Sequence, residues 1–566
     1  MRYVYRSVLI SAMSILLVTC STSKIFKDTF NPEVGKPYDR ATKSDSLLGM
    51  LTSYRTCYDV NFYDLDIKLV PEKKWIEGSE KIYSTTTFDF DTFQVDLHKN
   101  MKIDSILLND NEQLKYYRVE NSVFVIMPQT SIQGEKFFIN VFYRGNPIVA
   151  PNPPWEGGFV WKKDKNNKPW IGVAVEGDGS GMWRPDKDHN YDEPDSAAVN
   201  ITVERSLVGV SNGVLRETVN NSDSTTTYKW FTSYPINGYN ITVYAGDFLM
   251  FDDTFHSISG NTVKLTYYVL SYDLEKAKTQ FEQVKPILHF YEDVFGEYPW
   301  QKDGYKLIDS PFEGMEHQSA IAYGAGFKNL FEGGWDYIIL HESAHEWWGN
   351  SLTAFDLAEG WLHEGFATYA EWLYVEKFFP GSERILRTLE RNQIKNLRPV
   401  VGPGGRKFFY QPKVDSDIYM KGAWVIYSLR AYLDDDSLFF DILKSFAIKY
   451  RMRIVTTQDF IDLVNEKSGR DMKWFFDQYL YSRFVPVLEI CPVREGLYYR
   501  WTKTNSDFKI PVKVKLSGDR EVEINPTSKT QLYRASLTGV SIKLDQFLFL
   551  VKTNEALPVL FRRDGN

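Results

Sequence analysis

Residues able to carry metal-assisted hydrolysis crowd into one short stretch. The chain has 8 His in 566 residues, and four of them lie between His317 and His363. Among these is His341-Glu342-Ser343-Ala344-His345. On a helix, positions four apart share a face. Two imidazoles so placed can hold one Zn²⁺, with Glu342 between them facing the same cleft. Eighteen residues separate His345 from Glu364, which lies within Trp361-Leu362-His363-Glu364-Gly365-Phe366-Ala367-Thr368-Tyr369. Taken as a second helix, this segment presents a carboxylate to the same ion. Two His and one carboxylate leave a fourth position for water, the composition of a catalytic zinc site, whereas structural sites are closed and Cys-rich. The 3 cysteines, Cys20, Cys57 and Cys491, are too few for a Cys-based site or a disulfide framework. His363 adjoins Glu364 but points about 100° away on the helix. It therefore reads as a packed or surface His, not a ligand. Trp347, Trp348 and Asn350 read as helix packing around the metal.

Three kinds of pattern surround this stretch. From about Asp59 the period is two: Tyr63, Leu65, Ile67 and Leu69 alternate with Asp64, Asp66 and Lys68, and Phe137, Ile139, Val141 and Tyr143 repeat the pattern. These predict half-buried antiparallel strands, and residues 51–260 are expected to form one large β domain. The period then lengthens. Leu274, Ala277, Phe281, Val284, Leu288, Tyr291 and Phe295 line one helix face, with a kink expected before Pro286 and a stop at Gly296. Helical patterns dominate 261–485, including a helix opened by Thr456-Thr457-Gln458-Asp459 and closed by Gly469. From 486 to 566 strands return, with Ile510, Val512, Val514 and Leu516 alternating before a Gly518-Asp519 turn.

Composition narrows the class. Hydrophobic residues are 43% and charged residues 25%, ample for several cores. Lys and Arg total 66 against 74 Asp and Glu, a net charge of −8, which argues against a nucleic-acid binder built on phosphate contacts. Aromatics reach 16%, which suits pleated cores.

HESAHEWWGN followed at this spacing by WLHEGFATYAEW resembles the aminopeptidase N and leukotriene hydrolase family of gluzincins. Gly314-Met315-Glu316-His317 is similar to the family's Gly-x-Met-Glu-Asn motif, with His317 in place of Asn. Tyr419-Met420-Lys421-Gly422-Ala423 is similar to its Tyr-x-Lys-Gly-Ala segment. Val175-Glu176-Gly177, with Trp183-Arg184-Pro185 and Asp192-Glu193-Pro194-Asp195, resembles the place where the family's N-terminal domain reaches the active site. Tyr244-Ala245-Gly246-Asp247-Phe248 resembles that domain's end. The resemblance implies a multidomain α+β fold: an N-terminal β-saddle domain, a thermolysin-like, mostly helical catalytic domain, and here a small C-terminal β domain instead of the family's long helical one. It implies one Zn²⁺ on His341, His345 and Glu364, with Glu342 as general base and Tyr419 as oxyanion donor. Glu316 and Glu176 would bind the α-ammonium of a peptide. Gly314 and Met315 would lie on an edge strand pairing with the extended substrate.

The implied activity is removal of N-terminal residues from peptides. Epoxide hydrolysis on the same site is a second enzymatic possibility, and a catalytically silent gluzincin-like lipoprotein kept for binding or scaffolding is the non-enzymatic one. At the N-terminus, Arg2 and Arg6 precede an apolar run from Val8 to Val18, which ends in Thr19-Cys20. This resembles a bacterial lipoprotein signal over 1–19, with Cys20 lipidated and 20–50 a polar tether. An ordinary secretory signal with an incidental Cys is the alternative. Either way the protein is expected to be exported, and lipidation would anchor it to a membrane, facing the periplasm or the cell surface.

Overall fold

The computed structural model describes residues 43–402, 416–515, 521–535, 543–544 and 549–555. Cys20, the signal segment, Leu516 and the Gly518-Asp519 turn lie outside them. The end of the expected tether is not all coil: Lys43–Gly49 is helical, and the Leu47 carbonyl accepts hydrogen bonds from Arg55 Nη2 (3.1 Å) and Gln94 Nε2 (2.9 Å).

The first unit is built on an eight-stranded sheet. Its strands run in the order Val214–Asn220, Thr225–Thr232, Ser196–Glu204, Tyr58–Val70, Trp75–Thr86, Lys136–Gly145, Met101–Leu108 and Glu112–Gln113. The alternation read from sequence is seen directly. Tyr63, Leu65, Ile67 and Leu69 are buried, as are Phe137, Ile139, Val141 and Tyr143. One pairing differs from the antiparallel expectation: Tyr58–Val70 runs parallel to Ser196–Glu204, with Tyr63 opposite Ala197. Alternation reports which face is buried and is silent on direction, and the long excursion between these strands allows a parallel return. A four-stranded sheet, Val208–Val210, Tyr244–Gly246, Pro169–Ala174 and Gly158–Lys163, extends this unit toward the second.

The boundary expected at 260 falls inside a hairpin. Phe248–His256 pairs with Thr262–Leu270 along its whole length, and both belong to a five-stranded sheet of the second unit. That sheet continues through Tyr305–Asp309 and Ile321–Tyr323 to the short edge strand Gly314–Met315. The structure thus inserts strands into a region read as helical, because runs of three to five buried residues carry too little periodicity to betray themselves. The predicted long helix is broken once: Leu274–Gln280, a single 3₁₀ turn at Phe281–Gln283, then Val284–Phe295. It stops at Gly296, whose φ of 100° only glycine adopts readily. The helix Thr457–Ser468 carries the capping box of Thr456 and Asp459 and closes on Gly469 in the left-handed region, as the sequence predicts.

Aromatic side chains knit the helical core, with Trp348, Phe366, Phe446 and Phe460 in mutual ring contact. The last segment forms two small sheets, whose buried Leu488, Trp501 and Val514 join the same core. Among the described residues no helix is long and apolar enough to cross a membrane.

Candidate active site

Asp336 starts the helix that carries the His pair. Its side chain accepts the Ile339 N–H at 3.1 Å, capping Tyr337–Ala344. His341 lies on this helix and His345 caps its C-terminal end, while Glu364 comes from the first turn of Trp361–Phe378. Their atoms converge: His341 Nε2 to His345 Nε2 is 3.2 Å, and Glu364 Oε2 lies 3.4 and 3.3 Å from the two nitrogens.

The other ring nitrogens decide what this convergence means. His341 Nδ1 sits 2.6 Å from Glu371 Oε1, and His345 Nδ1 sits 2.8 Å from the Trp348 carbonyl. Both partners only accept, so each Nδ1 carries a proton, and the neutral form of each ring then has its lone pair on Nε2. Two lone pairs and a carboxylate oxygen therefore face one point, an arrangement that a cation satisfies. The donor set fits Zn²⁺. Charge tells the same story. Burial alone would depress His345, but Glu364 beside it carries its pKa up to about 9. Burial would raise Glu364, but His345 and His341 hold it well below the usual carboxylate range. Positive charge is drawn to this spot.

Glu371 was not singled out by sequence reasoning. It stands seven residues after Glu364, two turns along the same helix face, and that spacing is the signal that could have found it. A carboxylate on Nδ1 fixes the ring's tautomer and orientation for a metal.

Glu342 is buried, and burial first, then Glu316 against the lowering effect of His341, brings its carboxyl up to about 8. The Gly314 backbone lies against it. A Cβ at Gly314 would collide with Glu342 Oε1, so a side chain here would displace the Glu342 carboxylate. Gly314 and Met315 form the expected edge strand, paired with Ile321–Tyr323 and, among the described residues, with no strand on the other side.

Glu316 is buried beside this strand. Tyr239 donates its hydroxyl to Glu316 Oε1 at 3.1 Å, and Asn350 Nδ2 donates to the Glu316 carbonyl at 2.7 Å. Asn350 therefore does more than pack, since it also takes a 2.8 Å hydrogen bond from Asn240 of the first unit. Tyr239 and Asn240 carried no motif signal in the sequence. Carboxylate oxygens of Glu176, Glu316 and Glu364 lie within 4.8 Å of one another. Burial and the neighbouring Glu176 push Glu316 up to about 7. A cationic group entering here would be strongly favoured.

Tyr419 caps the helix Met420–Leu433, and its ring stacks on His341 with centroids 6.2 Å apart. Burial, with Glu364 and Glu176 nearby, keeps its phenol protonated. A glycine pair sets its place. A Cβ on Gly365 would meet the Gly422 Cα at 2.9 Å, so the Glu364 and Tyr419 helices cross almost backbone to backbone.

His317 turns toward Tyr244, with Nδ1 2.5 Å from the hydroxyl, and burial holds its pKa down to about 3. His363 is buried, the packed one of the two expected alternatives. The Trp183–Pro185 and Asp192–Asp195 segments are scaffolding: Arg184 pairs with Glu80 at 2.7 Å and Asp186 at 3.1 Å, and Lys187 pairs with Asp192 at 2.5 Å.

Residues 279–479 match the peptidase family M1 domain. The alanine/arginine aminopeptidase of Saccharomyces cerevisiae is 26% identical over 325 residues, 53% of this chain and 37% of that protein. Human aminopeptidase B is 27% identical over 222 residues, 34% of this chain and 32% of that protein. The matches thus span about a third of those relatives' own length. The M1 zinc metallopeptidase of Deinococcus radiodurans superposes with a TM-score of 0.65 at 20% identity, over 76% of this chain and 94% of that one. A point mutant of that metallopeptidase, bound to a Tyr-Ser-Ala substrate, superposes with a TM-score of 0.64, also at 20% identity, over 76% of this chain and 95% of that one. These likenesses establish a common fold.

Proposed function

We propose, from the match of residues 279–479 to the peptidase family M1 domain, that this chain is a zinc-dependent aminopeptidase releasing N-terminal residues from peptides. The observation that carries the proposal is the pairing of two features. Three metal-type donors converge at 3.2–3.4 Å. The buried carboxylates of Glu316 and Glu176 then lie within 4.8 Å of Glu364 of that donor set.

His341 Nε2, His345 Nε2 and Glu364 would hold the zinc. When bound, zinc supplies a Lewis acid that polarises a carbonyl and acidifies water. The chain's own residues do the rest. Glu316 and Glu176 bind the α-ammonium, and a mid-chain peptide, which lacks that charge, gains nothing there. The Gly314–Met315 edge offers backbone N–H and C=O groups to an extended substrate. Glu342 accepts a proton on its carboxylate from the attacking water and passes it to the departing amine nitrogen. Tyr419 donates its hydroxyl to the oxygen on which negative charge develops. The presence of Glu342 on the His341 helix and the stacking of Tyr419 on His341 support the reading of an active enzyme over a silent binder.

The test is hydrolysis of aminoacyl-amide fluorogenic substrates by purified protein, with bound metal measured by elemental analysis. One zinc per chain, activity lost to a chelator and regained on adding zinc, is the expected result. Full activity in metal-free protein would defeat the proposal. We further propose that Cys20 is lipidated and anchors the exported enzyme to a membrane, supported by the Arg2–Cys20 signal pattern. Cys20→Ala should leave the detergent phase while keeping peptidase activity; a variant still partitioning into detergent would overturn the anchor.

A further inference from the structure

His363 has one hydrogen-bonding state open to it. It lies in the first turn of the Trp361–Phe378 helix, fully buried. Its Nε2 takes a hydrogen bond from the Ala354 backbone N–H at 2.8 Å. An amide N–H only donates, so Nε2 must hold a lone pair and the ring's single proton must sit on Nδ1. A doubly protonated ring would lose that bond. The ring is also held in place: Gly349, at φ 114°, passes so close that a Cβ there would meet His363 Cγ at 3.2 Å. His363 Nδ1 thus presents a buried N–H for which no hydrogen bond is found among the described residues. The acceptor it faces is Glu176 Oε1, 3.9 Å away.

We propose that His363 is a positioning residue of the amine subsite, its Nδ1–H holding the Glu176 carboxylate toward the α-ammonium of the substrate. The role rests on the aminopeptidase assignment above. Three carboxylates within 4.8 Å repel one another, so a donor aimed at Glu176 steadies it against its neighbours. A neutral N–H donor does this without adding a positive charge to compete with the incoming ammonium. A Lys or Arg at this point would form an ion pair with Glu176 and cancel the charge that recognises the substrate. The separation of 3.9 Å exceeds the usual N–H···O range of about 2.7–3.2 Å by less than an ångström. A small rotation of the carboxylate as the ammonium arrives closes it.

Two substitutions separate this role from a structural one. His363→Asn keeps an amide N–H near the Nδ1 position but loses the acceptor for Ala354. His363→Gln keeps an acceptor near Nε2 but loses the donor facing Glu176. Binding of phenylalanine amide is measured by calorimetry on the zinc-loaded full chain, with N-acetylphenylalanine amide as control, alongside KM and kcat for an aminoacyl-amide substrate. His363→Asn should bind the free amine within about threefold of wild type. His363→Gln should bind about tenfold or more weakly, the loss of one hydrogen bond to a charged group. KM should rise more than kcat falls. The acetylated control should not bind in any variant. The inference is overturned if His363→Gln binds like wild type, or if His363→Asn is the weaker of the two, as a role confined to Ala354 requires. A wild type that neither binds nor cleaves the free-amine compounds overturns the aminopeptidase assignment and this role together. A wild type that does both, beside an unaffected His363→Gln, overturns the role alone.

Discussion

Gly365→Ala should slow catalysis by moving Tyr419, although neither residue's chemistry changes. The new Cβ would lie 2.9 Å from the Gly422 Cα, 3.0 Å from its carbonyl carbon and 3.1 Å from the Ile418 carbonyl oxygen. All three are backbone atoms and cannot swing aside. Ordinary contact lies at 3.4–4 Å, so the two helices must part by 3.4 − 2.9 = 0.5 Å to 4.0 − 2.9 = 1.1 Å. Tyr419 begins one helix and Glu364 sits beside Gly365 on the other, so the shift falls between the oxyanion donor and the metal site. A displacement of about 1 Å can cost about a hundredfold in rate. The fold should suffer less. Overpacking costs about 1–3 kcal/mol, and replacing a helical Gly by Ala returns about 1 kcal/mol. The assay is kcat on an aminoacyl-amide substrate, with zinc content and Tm measured on each protein. The decisive comparison is a double-mutant cycle with Tyr419→Phe. If Gly365→Ala acts through the hydroxyl, it should cost about a hundredfold alone and little in the Tyr419→Phe background. Multiplicative losses across the cycle, or wild-type kcat in Gly365→Ala, would refute the reasoning.

Tyr419→Phe alone should lower kcat by about 10²–10³-fold with zinc retained, the usual effect of removing one oxyanion donor; unchanged kcat would remove the residue from the chemistry. Glu371→Ala should weaken zinc binding by about 10–100-fold, read by competition with a chelator, because the His341 ring loses the carboxylate that orients it. Wild-type affinity would make that contact incidental. Glu316→Ala should reduce the preference for free-amine over N-acetylated substrates by losing activity on the former; an unchanged ratio would remove Glu316 from amine recognition. His317, held at about 3 in the fold by burial, titrates near 6.5 when unfolded. The unfolded chain therefore binds the extra proton between those values, and stability falls as pH drops through 6.5 toward 3, by about 1.4 kcal/mol per pH unit. His317→Asn should flatten the acid limb of the stability curve by that slope, measured by denaturant titration; an unaltered limb would mean His317 is protonated in the fold.

The His341, Glu342 and His345 triplet was legible because it depends on spacing along a single helix, whereas Tyr419, Glu316 and Glu176 were legible only through the family resemblance. A period of 3.6 residues puts His341, Glu342 and His345 on neighbouring rows whatever the rest of the protein does. The same holds for the alternating strand Tyr63 to Leu69, whose buried face follows from a period of two. Tertiary packing decided what spacing cannot encode. Tyr239 reaches Glu316 across 77 residues of sequence, and Asn240 reaches Asn350 across 110. Nothing local marks either residue, because a hydrogen bond between units leaves no periodic trace in either one. Strand direction was invisible for a related reason, since parallel and antiparallel neighbours bury the same alternate side chains. His363 shows the division most clearly. Its place on the helix was enough to say that it points away from the metal. Only the fold, by setting the Ala354 N–H against one ring nitrogen and Glu176 before the other, determined which nitrogen holds the proton and what that proton faces.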